Sequence, residues 1–204
     1  MEAEPNTRPM NLLKRSVQIL AAVIIILLTS PVFIISIILL VLTTRKGPFY
    51  KGDRVGKDGK NFQMYKFRSL LPGSEDKIKA RLLQPSDPFI TPVGGVLRRL
   101  KIDELPQLFN VIKGDMNFIG PRPIRPIFYD YFLETLPNFQ EKFRIKPGLT
   151  GLAQVLGDYQ TPVISKLRYE IFYNSRKNVF LDLKIVLLTL GLLFRNLFDR
   201  GKRL

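Results

Sequence analysis

The chain has 204 residues, 46% of them hydrophobic, which suits one domain with a core plus an appendage. It contains no cysteine and no histidine, which excludes disulfides, thiolate metal sites and imidazole bases, and leaves carboxylates, lysine, arginine, tyrosine, hydroxyls and a hard cation such as Mg²⁺ for any chemistry. The net charge of +15 indicates an anionic partner, whether nucleic acid, anionic lipid or a phosphorylated substrate.

An uncharged segment of 29 residues, 16–44, lies near the N-terminus and exceeds the roughly 20 residues that a membrane span needs. Basic pairs precede it and follow it at positions 14–15 and 45–46, which argues against a cleaved signal peptide and suggests that both ends face the same side. Pro31, after Ser30, predicts a bend or break near the middle. On these residues alone, a kinked span and a re-entrant segment both stay open.

Glycine turns and short extended pieces are predicted for residues 47–60, followed by a strand over Phe62 to Phe67. The letters GKDGK at 56–60 lack the spacing of a phosphate-binding loop, so they indicate a turn. Residues 71–92 mix a short helix with loops, and helical signals dominate from Val96. The sum is a small α+β domain, rich in helix, on a membrane-embedded base.

The densest cluster of chemically useful residues lies at 101–123, KIDELPQLFNVIKGDMNFIGPRP. Asp103 is predicted to be the N-cap of a helix that carries Pro106 in its first turn and ends at Gly114. Taken alone, Asp103 and Glu104 are typical of a helix start and nothing more. They lie about 100° apart on a helix, so they can share a substrate only at its beginning.

Basic residues surround this acidic pair and could bind the oxygens of a phosphate. Arg122 is the best candidate, because Pro121 and Pro123 stiffen the turn that presents it. A carboxylate nucleophile attacking phosphorus is plausible chemistry in this setting. The other basic residues near the pair are Arg98, Arg99, Lys101 and Lys113.

The last 25 residues, 180–204, predict an amphipathic helix with basic residues around it. Its uncharged run, 185–194, is too short to span a membrane. An interfacial helix and a core-packed helix both remain open. The apolar stripe consists of Leu181, Ile185, Leu188, Leu192 and Leu193.

Together with YKFRS at 65–69 and PGLTGLAQV at 147–155, the 101–123 block resembles the bacterial sugar transferases called monotopic phosphoglycosyl transferases. The resemblance covers nearly the whole chain. It implies a monotopic membrane protein with a re-entrant helix broken at Ser30 and Pro31. It also implies transfer of a sugar-1-phosphate from a UDP-sugar to polyprenol (undecaprenyl) phosphate, with release of UMP, to initiate polysaccharide or glycoconjugate synthesis.

The resemblance also implies roles for individual residues. Asp103 would attack the β-phosphate and form a covalent intermediate, Mg²⁺ would bind near Asp103, and Glu104 would orient groups or manage protons. The implied substrate-binding residues are Lys66, Arg68, Arg98, Arg122, Pro123, Lys146, Gly148, Thr150 and Gln154.

The implied location is the bacterial inner membrane, with membrane lipid as a partner, no nucleic acid, and the catalytic domain and both termini in the cytoplasm. The expected divisions are a membrane segment at 1–46, a catalytic domain at 47–179 and an interfacial helix with a basic tail at 180–204. The sugar and the oligomeric state, a homo-oligomer included, stay open. The sequence departs from the family pattern at Phe89, Pro92, Leu152 and Asp158.

Two other classes of function compete with this interpretation. One is a membrane-tethered, non-catalytic basic protein that binds nucleic acid or anionic lipid, and the other is a membrane scaffold whose acidic block merely caps a helix. The nearest enzymatic rival is an inverting glycosyltransferase or a glycosidase. For that rival the chain lacks an Asp-X-Asp metal motif.

Overall fold

The computed structural model describes residues 8–44, 46–74, 78, 87–158 and 160–198, and these form the helix-rich α+β arrangement that the sequence predicts. The helices are α1 (Arg8–Leu28), α2 (Ser30–Thr44), α3 (Pro92–Arg99), α4 (Gln107–Lys113), α5 (Pro126–Thr135), α6 (Leu152–Leu156), α7 (Val163–Arg176) and α8 (Val179–Phe198). The strands are β1 (Phe49–Val55), β2 (Asn61–Phe67), β3 (Asn117–Ile119) and β4 (Gly148–Thr150). Within the described residues, 3-10 turns cover Lys57–Gly59, Ile102–Glu104 and Phe139–Arg144.

The two N-terminal helices meet at a bend of 63°, where the sequence predicts a break. Pro31 has no N–H to donate to the carbonyl of Leu27, and the hydroxyl of Ser30 donates to that carbonyl instead, at 2.8 Å. The hydroxyl of Thr29 donates to the carbonyl of Ile25 at 2.7 Å. Of the helices in the described ranges, none is by itself long and apolar enough to cross a bilayer, whereas Leu12–Leu28 and Ser30–Thr44 meet that criterion as a bent pair.

One side of this bent pair packs against the rest of the protein. Ala22 of α1 is fully buried among Met64, Leu108, Val111 and Met116. Leu40 of α2 packs in the same way against Phe67 and Leu97. The opposite side is apolar and exposed, and includes Leu20, Leu27, Leu28, Ile34, Ile35, Ile38 and Leu42.

Strands β1 and β2 form an antiparallel hairpin in which Phe49 pairs with Phe67 and Val55 with Asn61. Its connection is the 3-10 turn Lys57–Gly59, where Asp58 adopts a left-handed conformation with φ 56°. The predicted strand and the predicted turn are therefore confirmed. Much of the mixed segment expected at 71–92 lies outside the described residues.

Strands β3 and β4 pair in parallel, and glycines allow their ends to approach closely. A Cβ atom on Gly148 would lie 2.0 Å from the amide nitrogen of Gly120, and a Cβ atom on Gly151 would lie 2.1 Å from the carbonyl oxygen of Gly120. No side chain fits at either place. The Gly-Pro-Arg-Pro turn and the Pro-Gly-Leu-Thr-Gly loop, far apart in sequence, are thus packed backbone to backbone.

Helix α8 uses the predicted apolar stripe to pack inward. Ile185 is fully buried with Leu152 and Tyr173, and the Tyr173 hydroxyl donates to Asp182 at 2.7 Å. Of the predicted stripe, Leu181 and Ile185 pack in this core cluster, and the interfacial position of the helix stays a prediction. A second face of α8 stays exposed although it is apolar, with Phe180, Leu183, Leu187, Phe194, Leu197 and Phe198 on it.

Two helix starts differ from the prediction. Helix α3 begins at Pro92, before Val96, because the side chain of Thr91 caps it and accepts from the Gly94 amide at 2.9 Å. Helix α4 begins at Gln107, so Asp103 is not its N-cap, and Pro106 occupies that position. The C-terminal end of α4 at Gly114, with φ 93°, is confirmed.

Candidate active site

The acidic pair lies in the 3-10 turn Ile102–Glu104, between the end of α3 and the start of α4. The preceding residue, Lys101, adopts a left-handed conformation with φ 60° and ψ 14°. Few residues other than glycine take this conformation, and such backbone strain collects at functional sites. The sharp change of direction carries Asp103 into the interior, where it is 4% exposed.

The carboxyl group of Asp103 has no direct partner among the described side chains. No hydrogen bond or ion pair reaches its carboxylate from any residue that the structure describes. Burial raises the pKa of Asp103, an effect that the nearby charge of Lys66 opposes and that of Glu104 reinforces. The carboxylate is therefore held close to cations but bonded to none.

Glu104 is bonded to two cations. The ammonium of Lys66 donates to its Oε1 at 2.7 Å, and Nη2 of Arg122 donates to the same oxygen at 3.2 Å. Burial alone would raise the pKa of Glu104, but Lys66 and Arg122 hold it well below its usual value. Glu104 is thus ionised across the physiological range and ties β2 to the turn that carries Arg122.

The pKa values of the two cations shift in opposite directions, although Glu104 acts to raise both. Burial lowers the pKa of Lys66, although the charges of Glu104 and Asp103 oppose the shift. The charge of Glu104 raises the pKa of Arg122. The side chain of Arg122 is half exposed and has further N–H groups besides the one that donates to Glu104.

The backbone of Arg122 is bonded to Glu170, which is in turn paired with Lys142, and the sequence analysis singled out neither residue. Its amide donates to Oε1 of Glu170 at 2.9 Å, and the ammonium of Lys142 donates to Oε2 of the same carboxylate at 2.6 Å. Glu170 lies in α7, 48 positions from Arg122, and Lys142 lies in a 3-10 turn. No local motif in the sequence could have revealed this contact.

Two further predicted binding residues lie near the acidic pair or at the end of β2. Arg98, in the last turn of α3, donates to the Ser69 hydroxyl at 3.4 Å, and its charge acts to lower the pKa of Asp103. Arg68 follows β2 and donates to the carbonyls of Gly47 and Phe49, both at 2.9 Å. These contacts fasten the chain that leaves α2 to the hairpin.

Lys146 is placed at the other end of α4, roughly 10 Å along the helix from the acidic pair. Burial and the charges of Arg15 and Lys57 lower its pKa. The structure therefore does not place Lys146 among the side chains that surround Glu104, and its role in binding stays a prediction.

The remaining predicted residues belong to the glycine-lined junction of β3 and β4. The amide of Gly148 donates to the carbonyl of Pro121 at 3.0 Å, next to Pro123 in the same turn. Thr150 shares a hydrogen bond of 2.8 Å with Thr189 of α8. Neither end of the buried Gln154 amide has a hydrogen-bond partner among the described residues, so its role in binding stays a prediction.

Three of the four positions that depart from the family pattern have structural roles here. Leu152 is buried, Pro92 is the first residue of α3, and Asp158 accepts hydrogen bonds from Thr161 in an exposed turn. Those hydrogen bonds lower the pKa of Asp158. None of these three residues appears among the contacts of the acidic pair in the described chain.

The donor set fits a divalent cation only in part. In the described chain no three acidic, histidine or cysteine residues come together in a way that could hold a metal. Of the acidic pair, Asp103 has no partner among the described residues, since Glu104 is paired with Lys66 and Arg122. Mg²⁺ is commonly held by one or two carboxylates together with substrate phosphates, and Asp103 suits that kind of site.

Comparison with known proteins identifies the family to which this site belongs. A model of the bacterial sugar transferase family matches residues 9–196. The chain therefore belongs to the bacterial sugar transferases.

Relatives of the chain include proteins with different sugar substrates in their names. It is 39% identical to UDP-N-acetylgalactosamine-undecaprenyl-phosphate N-acetylgalactosaminephosphotransferase of Aeromonas hydrophila, over 87% of this chain and 43% of that protein. It is 36% identical to UDP-glucose:undecaprenyl-phosphate glucose-1-phosphate transferase of Escherichia coli K12, over 87% of this chain and 39% of that protein. An uncharacterized sugar transferase of Bacillus subtilis, EpsL, is 37% identical over 87% of this chain and 85% of its own length. The chain thus spans about two fifths of the first two relatives.

Proposed function

We propose that this protein transfers a sugar-1-phosphate from a UDP-sugar to a polyprenol phosphate and releases UMP. The observation that carries the proposal is the buried carboxylate of Asp103, which no described side chain neutralises although cationic groups surround it. Names of relatives with undecaprenyl phosphate and a UDP-sugar as substrates support the same reaction.

Asp103 is the nucleophile in this proposal. One of its oxygens attacks the β-phosphorus of the UDP-sugar, and the bond from that phosphorus to the bridging oxygen breaks, so UMP leaves with the bridging oxygen. An oxygen of polyprenol phosphate then attacks the same phosphorus, and the bond to Asp103 breaks. This second step restores the carboxylate and yields a polyprenyl diphosphate sugar, so both displacements balance without an added reagent.

Glu104 acts as an orienting group. Because Lys66 and Arg122 keep its pKa well below the usual value, it is poorly suited to take or give protons near neutral pH. Its two partners are instead held in place beside Asp103. The free N–H groups of Arg122 would bind phosphate oxygens, and Arg98 would add positive charge at the same place.

Asp103 would also be the protein ligand of Mg²⁺, with substrate phosphates completing the coordination. When bound, such an ion neutralises the phosphate charge that would repel an attacking carboxylate. Lys66 and Arg122 contribute in the same direction because they keep Glu104 from adding repulsion.

The bent pair of helices α1 and α2 would be a re-entrant anchor in the bacterial inner membrane. Both ends of the pair meet the same domain: Arg15 donates to the carbonyls of Val111 and Ile112 at 2.5 Å, and α2 leads within five residues into β1. Such ends are poorly placed to lie on opposite sides of a bilayer. The exposed apolar faces of α1, α2 and α8 would enter the lipid, and both termini would face the cytoplasm.

Labelling of introduced cysteines tests this topology cleanly, since the chain has no cysteine of its own. One variant carries a single cysteine before Lys14 and another carries one after Lys46. We expect an impermeant thiol reagent to reach both from the same side of sealed membranes. Labelling from opposite sides would establish a true span.

The variant Pro31→Ala, which restores helix continuity, should shift the segment toward spanning.

A panel of donors tests the reaction itself. The full chain is incubated with Mg²⁺, undecaprenyl phosphate and UDP-glucose, UDP-galactose or UDP-N-acetylgalactosamine, and UMP is measured. We expect at least one donor to release UMP. Without acceptor, the same donor should add one phosphosugar mass to a peptide that contains Asp103, with UMP released in proportion. An adduct on another residue would refute the assigned nucleophile while leaving the overall reaction standing.

A further inference from the structure

A buried ion pair lies directly behind the turn that presents Arg122. Lys142 and Glu170 are 2.6 Å apart, and their side chains are only 6% and 5% exposed. Each oxygen of the Glu170 carboxylate has its own partner, the ammonium of Lys142 for one and the amide of Arg122 for the other. Phe139, Phe143 and Leu167, which lie close to these two residues in the chain, are buried in one hydrophobic cluster.

Stability alone gives no reason for a carboxylate at this place. Taking two charges out of water is costly, and replacing a buried ion pair by apolar side chains is often neutral or stabilising. The contact that apolar side chains could not reproduce is the one with the Arg122 amide. Inside a water-excluded core, this hydrogen bond is stronger than it would be at the surface.

The flanking prolines make that amide unusually important. Pro121 and Pro123 have no N–H, so Arg122 supplies the single backbone donor of the three residues 121–123. Glu170 accepts from that donor, while Glu104 accepts from the guanidinium of the same residue. Arg122 is thus held at its backbone from one side and at its side chain from the other.

We propose that Glu170 is a positioning residue for Arg122, with Lys142 as the counter-ion that allows a carboxylate to be buried there. Glu170 touches no substrate. It fixes the place from which the guanidinium of Arg122 meets a donor phosphate, and in this respect the proposal rests on the proposed function. Asn174, four residues further along α7, reinforces the arrangement by donating to the carbonyl of Glu141 at 2.7 Å.

Two double variants separate the hydrogen bond from the charge. Lys142→Met with Glu170→Gln, called the Met–Gln variant, removes both charges but keeps an oxygen that can accept from the Arg122 amide. Lys142→Met with Glu170→Met, called the Met–Met variant, removes both charges and the acceptor, at similar side-chain volume. Single substitutions are unsuitable because each leaves one charge buried without a partner.

Both double variants are compared in the full chain by thermal unfolding and by UMP release with undecaprenyl phosphate and the three UDP-sugars named above. At similar melting temperatures, the Met–Met variant should have a kcat/KM at least tenfold below that of the Met–Gln variant. With Arg122→Ala added to both, this ratio should shrink to less than threefold, because a residue that acts through Arg122 has nothing left to position. Equal activities, or a tenfold ratio that survives Arg122→Ala, would overturn the proposal.

Hydrogen exchange gives a readout that needs no turnover. Amides in peptides covering 118–125 should exchange faster in the Met–Met variant than in the Met–Gln variant, with the rest of the chain unchanged. Equal exchange in this turn would overturn the positioning role even if activities differ. If the parent protein turns over no UDP-sugar, the proposed function fails, and the exchange comparison still decides whether Glu170 holds the turn. Should the Met–Met variant not fold, Lys142→Met with Glu170→Leu takes its place.

Discussion

Two buried acidic sites flank Arg122, one formed by Glu170 and the other by Asp103 and Glu104, and they differ in how completely their carboxyl oxygens are bonded. At the site behind the backbone of Arg122, the Glu170 carboxylate accepts from the buried ammonium of Lys142 with one oxygen and from the Arg122 amide with the other. At the site beside the guanidinium of Arg122, one oxygen of Glu104 accepts from both Lys66 and Arg122. The neighbouring Asp103 accepts from no described residue. Both oxygens of Glu170 have a partner, whereas at the other site the carboxyl group of Asp103 has no direct partner among the described residues.

The difference indicates which site is built for a ligand. A carboxylate that is buried without a direct partner costs free energy, and such groups concentrate at functional sites. A carboxylate that is fully bonded can only hold its neighbours in place. These contacts support the proposal that Asp103 reacts, Glu104 orients its partners and Glu170 positions Arg122.

The largest effect that this comparison predicts is on turnover in Asp103→Asn. An amide attacks phosphorus poorly and binds a hard cation less well than a carboxylate does, so UMP release should fall on the order of a thousandfold or more. The matched control is Asp130→Asn, because Asp130 is exposed on α5. Turnover of Asp103→Asn at the rate of the control would remove Asp103 from the chemistry.

The next effect is expected in Arg122→Ala. Loss of charged hydrogen bonds to a phosphate costs about 1.5–3 kcal/mol, which corresponds to a loss of roughly ten- to hundredfold in kcat/KM. The half-exposed side chain contributes little to folding, so the melting temperature should change little. Arg168→Ala, at an exposed position of α7, serves as the control. Unaltered kinetics would show that the turn does not present Arg122 to substrate.

Glu104→Gln should combine a loss of activity with a loss of stability. The neutral amide weakens the hydrogen bond from Lys66, whose side chain is only 18% exposed, at a cost of roughly 1.5–3 kcal/mol. We expect the melting temperature to fall by several degrees and UMP release to fall about tenfold through misplaced cations. Unfolding and UMP release are measured on the same preparation. A strong loss of activity at an unchanged melting temperature would point to a proton-transfer role instead.

Features with local causes could be predicted from the sequence. The bend at Pro31, the strand β2, the turn around Asp58 and the end of α4 at Gly114 each follow from one residue type or one short period. The acidic pair was also found, because it stands beside a proline-flanked arginine in a short stretch of chain.

The helix start at Asp103 was predicted wrongly because the deciding residue has no signature. Lys101 adopts a left-handed conformation, which can be predicted from sequence when the residue is glycine or asparagine but not when it is lysine. The support of Arg122 by Glu170 depends on packing across 48 positions and leaves no trace in either segment. The glycines 148 and 151 were visible in the sequence, but that they make room for Gly120 follows only from the structure.

The smallest predicted effect concerns the stability of Asp103→Asn, and its sign is opposite to that for Glu104→Gln. Burial raises the pKa of Asp103 in the folded protein, whereas the unfolded chain ionises near the ordinary value of about 3.9. Between these two pKa values the folded state binds more protons than the unfolded state, so rising pH lowers the free energy of unfolding. The asparagine variant is free of this penalty.

The variant Asp103→Asn should therefore be about as stable as the parent near pH 4, gain stability relative to it as the pH rises through the pKa of the folded protein, and keep a constant advantage above that pKa. Urea unfolding between pH 4 and 8 measures this difference, with EDTA present so that no cation neutralises the carboxylate, and with Asp130→Asn as the control. An advantage that does not change with pH, or an asparagine variant less stable than the parent at pH 7, would mean that the charge of Asp103 is matched within the protein. In that event the contrast between the two acidic sites would not explain which of them reacts.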